Sequence, residues 1–138
     1  MIEYPQFKHL PVEYIVKKLS EFLEEDISDG DETTQCTIPE NTNIKAEIQT
    51  VDELVFAGKI IIPHCFGNDC RVEIDLEDGD TLVAGELMGK IRGPARAILS
   101  RERVMLNLIQ RLCGIATVSR QYAEVACPFN VKILDKIR

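Results

Sequence analysis

The stretch GPARAILSRERVMLNLIQRLCGIATVSRQYAE, Gly93–Glu124, decides the fold. Within it Ile98, Met105, Ile109, Leu112 and Ala116 recur at steps of 7, 4, 3 and 4, and Leu106, Leu108, Ile115, Val118, Tyr122 and Val125 widen the stripe. That is the period of a helix with one broad apolar face. Gly93-Pro94 suits its start, because proline lacks an N–H that the first helical turn leaves unpaired anyway. Pro128 closes it, so the sequence predicts an arginine-rich helical segment over 94–127. Glycine in a helix interior costs ~1 kcal/mol against alanine, and a break is therefore expected near Cys113-Gly114.

Upstream the period shortens. In Ile44–Thr50, Ile44, Ala46 and Ile48 alternate with Lys45, Glu47 and Gln49, which predicts a half-buried strand. Leu54–Ile62 is a continuous apolar run that ends at Pro63 and reads as a further strand. Cys70–Leu76 alternates again, with Val72, Ile74 and Leu76 opposite Arg71, Glu73 and Asp75. Glu77–Asp80 (EDGD) is a turn signal, and Leu82–Gly93 is one more extended segment interrupted by glycines. Four strands with one polar face make a small, mostly antiparallel sheet that needs helices on its other face. One comes from Val12, Ile15, Val16, Leu19, Phe22 and Leu23, an amphipathic helix with Pro11 at its start. It is expected to end in EEDISDGDETT (Glu24–Thr34), an exposed acidic loop. Val131–Asp135 (VKILD) reads as a buried strand with three residues after it and no sheet to join, which points to a larger architecture. The expected class is α+β: an open sandwich over residues 1–128, then residues 129–138 as the first strand of an α/β barrel that the chain does not contain.

The chain has 138 residues, 45% hydrophobic and 28% charged, the mix of one soluble globular domain. No apolar run approaches the ~18–20 residues that span a bilayer, and the start lacks the pattern of a secretory signal. Five scattered cysteines (Cys36, Cys65, Cys70, Cys113, Cys127) suit free thiols in a cytoplasm better than a disulfide framework. His64-Cys65 with Cys70 comes nearest to a metal pattern, but no second ligand pair accompanies it, and no metal is expected. The net charge of −7 argues against nucleic acid. It hides an asymmetry: residues 1–80 hold 6 Lys/Arg against 19 Asp/Glu, and residues 81–138 hold 10 against 4. Six of the eight arginines lie between Arg92 and Arg120. Either the two halves attract each other within one fold, or the basic segment faces a small, multiply charged anion.

Several strings resemble one family in the right order along the chain. Gly93–Thr117 is similar to G-x-A-R-x-I-L-x-x-E-R-x-x-L-N-x-L-Q-R-x-S-G-I-A-T, the core pattern of the nicotinate-nucleotide pyrophosphorylases, or quinolinate phosphoribosyltransferases. Ser28–Thr34 looks like the family's G-D-x-T-T segment and Leu54–Gly58 like its V-x-A-G strand. Glu77–Gly93 resembles its D-G-D-x-V-x-x-G strand pair, and Val131–Asp135 falls where the first barrel strand, I-L-D-T-R-K-T, would stand. The resemblance implies a pentosyltransferase of NAD biosynthesis. It would transfer phosphoribosyl from phosphoribosyl pyrophosphate, bound with Mg2+, to quinolinate, and decarboxylation would give nicotinate mononucleotide. It also implies a homodimer in which the sandwich of one subunit caps the barrel of the other. The arginine of the family's E-R-x-x-L-N motif then reaches the partner's site and binds substrate carboxylates; by motif match this is Arg103. A planar guanidinium suits that task, since its donors match a carboxylate two at a time. Asn107 and Gln110 follow on the same helical face and are expected to serve helix packing.

The chain departs from the pattern in two places. Asp135-Lys136-Ile137-Arg138 stands where the family has D-T-R-K-T, so neither Lys136 nor Arg138 inherits a role. Lys59–Cys70 falls where the family has a helix, and Pro63 and Gly67 argue against a regular one. No catalytic residue and no cofactor site is expected in this chain, which by itself should be inactive. One arginine does not supply the ~8 kcal/mol that marks the low end of enzymic rate enhancement. Two readings stand beside this one. The chain is a non-catalytic domain that docks on a full-length paralogue, or it belongs to a related phosphoribosyltransferase with another substrate, nicotinate or that of a molybdenum-locus relative. A third, a lipoyl or biotinyl carrier, rests on Glu77–Gly93 alone and lacks a lysine at a hairpin tip.

Overall fold

The computed structural model describes residues 10–27 and 31–129. Helix α1 (Val12–Ile27) begins as its apolar spacing predicts: the Pro11 carbonyl accepts from the N–H groups of Tyr14 and Ile15, both at 3.1 Å. Ile15 and Leu19 are its buried residues. The acidic run is not all loop, because α1 extends through Asp26 and a short helix α2 (Glu32–Thr37) opens on its far side. Asp31 caps α2 by accepting from the Thr34 N–H at 3.0 Å and from its hydroxyl, the pairing that makes Asp a favoured helix cap.

Strand β1 (Asn43–Gln49) buries Ile48 and half-buries Ile44 and Ala46, as its alternation requires. It pairs antiparallel with β5 (Leu87–Pro94), which on its other edge pairs antiparallel with the short β3 (Arg71–Glu73). A second sheet joins β2 (Leu54–Val55) to β4 (Thr81–Leu82). The extended segments thus divide into two antiparallel sheets of three and two strands instead of one of four. The Leu82–Gly93 segment is cut by a turn at Gly85, whose φ is +84°.

The apolar run Leu54–Ile62 is a strand only at Leu54-Val55; from Ile61 the chain forms helix α3 (Ile61–Phe66). Pro63 is no obstacle because it stands in the first turn, where no intrahelical partner awaits its N–H. Gly67, at φ +58°, ends the helix and donates its N–H to the Pro63 carbonyl at 3.1 Å. Ile62, Cys65 and Phe66 are buried at helical spacing, while Ile61, Pro63 and His64 are half-buried, so one face of the helix meets the core. The EDGD turn forms where its sequence places it. The Asp78 carboxylate accepts from the N–H groups of Gly58 (2.7 Å) and Lys59 (2.9 Å), which locks the turn before α3.

Helix α4 (Ala95–Ala126) runs unbroken for 32 residues and closes in a 3-10 turn at Cys127–Phe129, beside Pro128. The expected break at Gly114 is absent because residues on either side of it are bonded to the β2 region. Thr117 Oγ1 donates to the Cys113 carbonyl at 2.7 Å and accepts from the Val55 N–H at 2.9 Å. The Ala57 N–H lies 3.4 Å from Cys113 Sγ. These bonds offset glycine's ~1 kcal/mol helix penalty. The core lies between α4, α1, α3 and the sheets, with Phe56, Ile62, Phe66, Leu82, Ile91, Ile98 and Met105 almost wholly enclosed. Val131–Asp135 lies outside the described residues. Among the described residues no helix is long and apolar enough to cross a membrane.

Candidate functional site

The arginine cluster resolves into two kinds of residue. Arg96 donates from Nε to the Ile38 carbonyl (2.9 Å) and from Nη2 to the Gln35 carbonyl (3.0 Å), tying the end of α2 to the start of α4. Arg101 donates to the Phe66 carbonyl at the end of α3 (2.8 Å) and pairs with Asp69 (3.0 Å). Arg120 donates to the Gly79 carbonyl in the EDGD turn (2.8 Å). Each satisfies carbonyls that a helix end or turn leaves open. These three build the frame.

Arg103 is of the other kind. It stands on the outward face of α4, exposed, and among the described residues it donates no hydrogen bond and closes no ion pair. Its position is nonetheless fixed, because its neighbours Val104 and Met105 are buried. Its charge reaches the cap of α2. Hydrogen bonds from the Thr34 hydroxyl and N–H hold the Asp31 carboxyl below its ordinary range, and the Arg103 guanidinium adds to that pull. The fold therefore brings Asp31–Thr34 and Glu102–Asn107 together, two strings some 70 residues apart in sequence, with Arg96 as the tether between them.

Arg103 heads a row. Asn107, Gln110 and Arg111 follow at helical spacing, and all four are exposed. Asn107 and Gln110 thus do not serve helix packing, as their sequence context had suggested. With Arg111 they form one lip of an open groove of about 1120 Å³ between α4 and the end of α1. Glu25 and Asp26 form the other lip over an apolar floor that includes Leu108. About 12 Å of helix separates Arg103 from Arg111. Arg103 itself is not among the residues that line this groove, so it stands clear of Glu25 and Asp26 as an exposed guanidinium on a rigid helix, suited to a carboxylate or phosphate group.

Arg92 lies elsewhere, on the outer face of the three-stranded sheet, where it stands opposite Lys45 on one side and Arg71 on the other. The acids of that face are one pair along, in register with Lys90: Glu47 pairs with Lys45 (3.4 Å) and Glu73 with Arg71 (3.0 Å). The His64-Cys65-Cys70 string is dispersed. His64 Nδ1 lies 2.7 Å from the Ile60 carbonyl oxygen, Cys65 is buried, and Cys70 packs against Gly93. Burial pushes the Cys65 thiol up to about 12 and raises Cys70 and Cys113 in the same direction. Among the described residues no group of three His, Cys, Asp or Glu side chains gathers to hold a metal. Sequence reasoning singled out Arg103 and missed Arg111. Arg111, eight residues on from Arg103, stands about 80° further round the helix and shares only its broad exposed side.

Comparison with known proteins bears on what such a surface serves. The family model for the quinolinate phosphoribosyl transferase N-terminal domain matches residues 31–113. The chain is 42% identical over 122 residues to a probable nicotinate-nucleotide pyrophosphorylase (carboxylating) of Bacillus subtilis, covering 86% of this chain and 42% of that protein. It is 34% identical over 113 residues to quinolinate phosphoribosyltransferase (decarboxylating) 1b of Nicotiana tabacum, covering 79% and 32%. Among solved structures, the nicotinate-nucleotide pyrophosphorylase of Francisella tularensis superposes with a TM-score of 0.87 at 26% identity, over 97% of this chain and 48% of that one. That of Ehrlichia chaffeensis gives 0.74 at 30% identity, over 86% and 43%. The chain spans less than half the length of each of these relatives.

Proposed function

The chain belongs to the quinolinate phosphoribosyltransferase family, and we propose that it is the arginine-donating part of a shared active site for phosphoribosyl transfer to quinolinate. In this reading residues 1–128 form the capping sandwich and residues 129–138 lead into a barrel. Arg103 crosses to the barrel of a partner subunit in a homodimer. There its guanidinium takes a quinolinate carboxylate through two parallel N–H donors, fixing the ring so that its nitrogen faces the ribose carbon that loses pyrophosphate. The reaction yields nicotinate mononucleotide, pyrophosphate and CO2, within NAD biosynthesis. Mg2+ arrives with phosphoribosyl pyrophosphate and is held outside this chain. The setting is the cytoplasm, whose reducing conditions suit five unpaired thiols.

One observation carries the reading: the motif arginine is exposed on a rigid helix, while three of its neighbours in the cluster are spent on backbone carbonyls. A frame residue would be bonded like Arg96 or Arg101. Arg103 is left facing outward.

The test is reconstitution. The chain alone should form no nicotinate mononucleotide from quinolinate and phosphoribosyl pyrophosphate. Mixed with the separately produced remainder of the Bacillus subtilis relative, the wild-type chain should restore product formation. Arg103→Ala should lower kcat/KM by about a hundredfold or more, the scale of a lost charge-assisted pair. Turnover by the chain alone, or equal rescue by Arg103→Ala, would sink the proposal.

A further inference from the structure

Helix α2 lies along the first turns of α4, and the two run antiparallel with a common spacing. The Ile38 carbonyl, just past the end of α2, accepts from Arg96 Nε at 2.9 Å, and the Gln35 carbonyl accepts from Arg96 Nη2 at 3.0 Å. From that anchor seven residues lead back along α2 to Asp31, and seven lead forward along α4 to Arg103. Both paths cover about 10 Å of helix. Seven residues also make nearly two whole turns, so Arg103 returns to the face of α4 that carries Arg96. The cap of α2 is thereby set beside the outward arginine. The charges agree: the Thr34 hydroxyl and N–H lower the Asp31 carboxyl, and the Arg103 guanidinium lowers it further.

The two partners differ in freedom. The Asp31 oxygens accept from the Thr34 N–H (3.0 Å) and from its hydroxyl, and Thr34 is itself buried. Its carboxylate therefore has a fixed place. Arg103 is exposed and turns about every bond of its side chain. A fixed negative charge at one edge of the arc it sweeps biases that motion towards α2. Among the described residues no ion pair joins the two. That gap matters, because a carboxylate in contact would occupy the fork and compete with any ligand. One held just outside contact orients the guanidinium and leaves its donors open.

We propose that Asp31 is a positioning residue for Arg103: held by Thr34 at the cap of α2, its carboxylate keeps the guanidinium on the α2 side of α4, clear of the acidic groove lined by Glu25 and Asp26. The consequence for substrate binding rests on the phosphoribosyl-transfer reading; the pairing itself does not. In that reading part of the entropy of ordering Arg103 is met before quinolinate arrives, which tightens binding without touching the chemical step.

Two measurements test this. In the 138-residue chain, the heteronuclear NOE of Arg103 Nε reports how freely the side chain moves, its signal assigned by its loss in Arg103→Lys. Asp31→Asn removes the charge and keeps a favoured helix cap. It should lower that NOE and leave the urea unfolding midpoint unchanged. Glu32→Gln, the same change of charge one residue on, should move neither. In the reconstituted enzyme, Asp31→Asn should raise KM for quinolinate by about threefold, the scale of one solvent-facing charge pair, with kcat unchanged. In an Arg103→Ala background it should change nothing further. An NOE indifferent to Asp31→Asn overturns the proposal, as does an equal effect of Glu32→Gln. A KM effect that persists without Arg103 overturns it too, since Asp31 would then act through the fold of α2. Full rescue by Arg103→Ala overturns the phosphoribosyl-transfer reading and leaves the pairing to be decided by the NOE alone.

Discussion

Gly58→Ala is the sharpest probe of how the family-like strings build this fold. Gly58 ends the Leu54–Gly58 segment at φ +120°, a region that residues with a side chain rarely adopt. Holding alanine there costs ~1–3 kcal/mol. A second term adds to it: a Cβ at this position would lie 2.4 Å from Cδ1 of Ile109, a buried core residue of α4. The clashing atom is the tip of a side chain, so Ile109 must leave its preferred rotamer at ~0.5–1.5 kcal/mol. The two terms sum to ~1.5–4.5 kcal/mol, or roughly 6–18 °C in Tm for a chain of this size. The assay is urea unfolding at a fixed, dilute chain concentration, run as a cycle with Ile109→Val, which deletes the offending methyl. Ile109→Val alone should lose ~0.5–1.5 kcal/mol. The double variant should be less destabilised than the sum, by about the rotamer term. A Gly58→Ala loss under about 0.5 kcal/mol refutes the backbone term, and strict additivity refutes the steric one.

The arginines should separate by stability. Arg101→Ala strips a partner from the Phe66 carbonyl and from Asp69 and should cost about 1–2 kcal/mol in urea unfolding, whereas Arg103→Ala should stay within about 0.5. Thiol reagents at mildly alkaline pH should label exposed Cys36 and Cys127 quickly, and Cys65 and Cys113 only as the chain unfolds. The raised Cys65 thiol also has a pH signature. Its folded value is about 12, above the ordinary thiol value of 9.0, so between these the unfolded chain loses the proton and the folded chain keeps it. Stability is therefore full below pH 9 and falls as pH rises towards 12. Cys65→Ala should flatten that fall, and an unchanged slope would count against the burial of the thiol.

Periodicity exposed those elements whose apolar residues meet the core from one side. The alternation of Ile44, Ala46 and Ile48 is legible because β1 has one wet face, and α1 because only Ile15 and Leu19 of its stripe go fully under. Helix α3 was hidden for another reason. Its buried residues Ile62, Cys65 and Phe66 keep helical spacing, but a six-residue window beside apolar Ile60 and Ile61 is too short to show that period. Pro63 then reads as a terminator, although at the third helical position it is harmless. The continuity of α4 through Gly114 was illegible because what secures it comes from Val55 and Ala57, nearly 60 residues away. Helix α2 did leave a local signal, Asp31 three residues before Thr34, but it lay inside a run whose charge suggested a loop. At the site, the motif match picked out Arg103, while the roles of Arg96, Arg101 and Arg120 depended on which carbonyls the fold would bring to them.

Those carbonyls also change the meaning of the charge asymmetry. The basic segment from Arg92 to Arg120 is neither mainly a counterweight to the acidic half nor, as a whole, an anion site. Its frame arginines are directed at neutral backbone oxygens at the ends of α2 and α3 and in the EDGD turn, and only Arg101 adds a carboxylate. Such bonds depend on the geometry of the guanidinium fork more than on net charge, which is why lysine would not replace arginine there. They leave the acidic residues of α1 free to line a groove and leave Arg103 and Arg111 facing out on the same helix. A helix held at its start by Arg96, near its first third by Arg101 and in its second half by Thr117 and Arg120 moves little. In the proposed role, the entropy of ordering Arg103 for a carboxylate is thereby reduced to that of its own side chain. The frame arginines thus act on the outward one: weakening Arg96 or Arg101 should loosen the surface that presents Arg103 before it unfolds the domain.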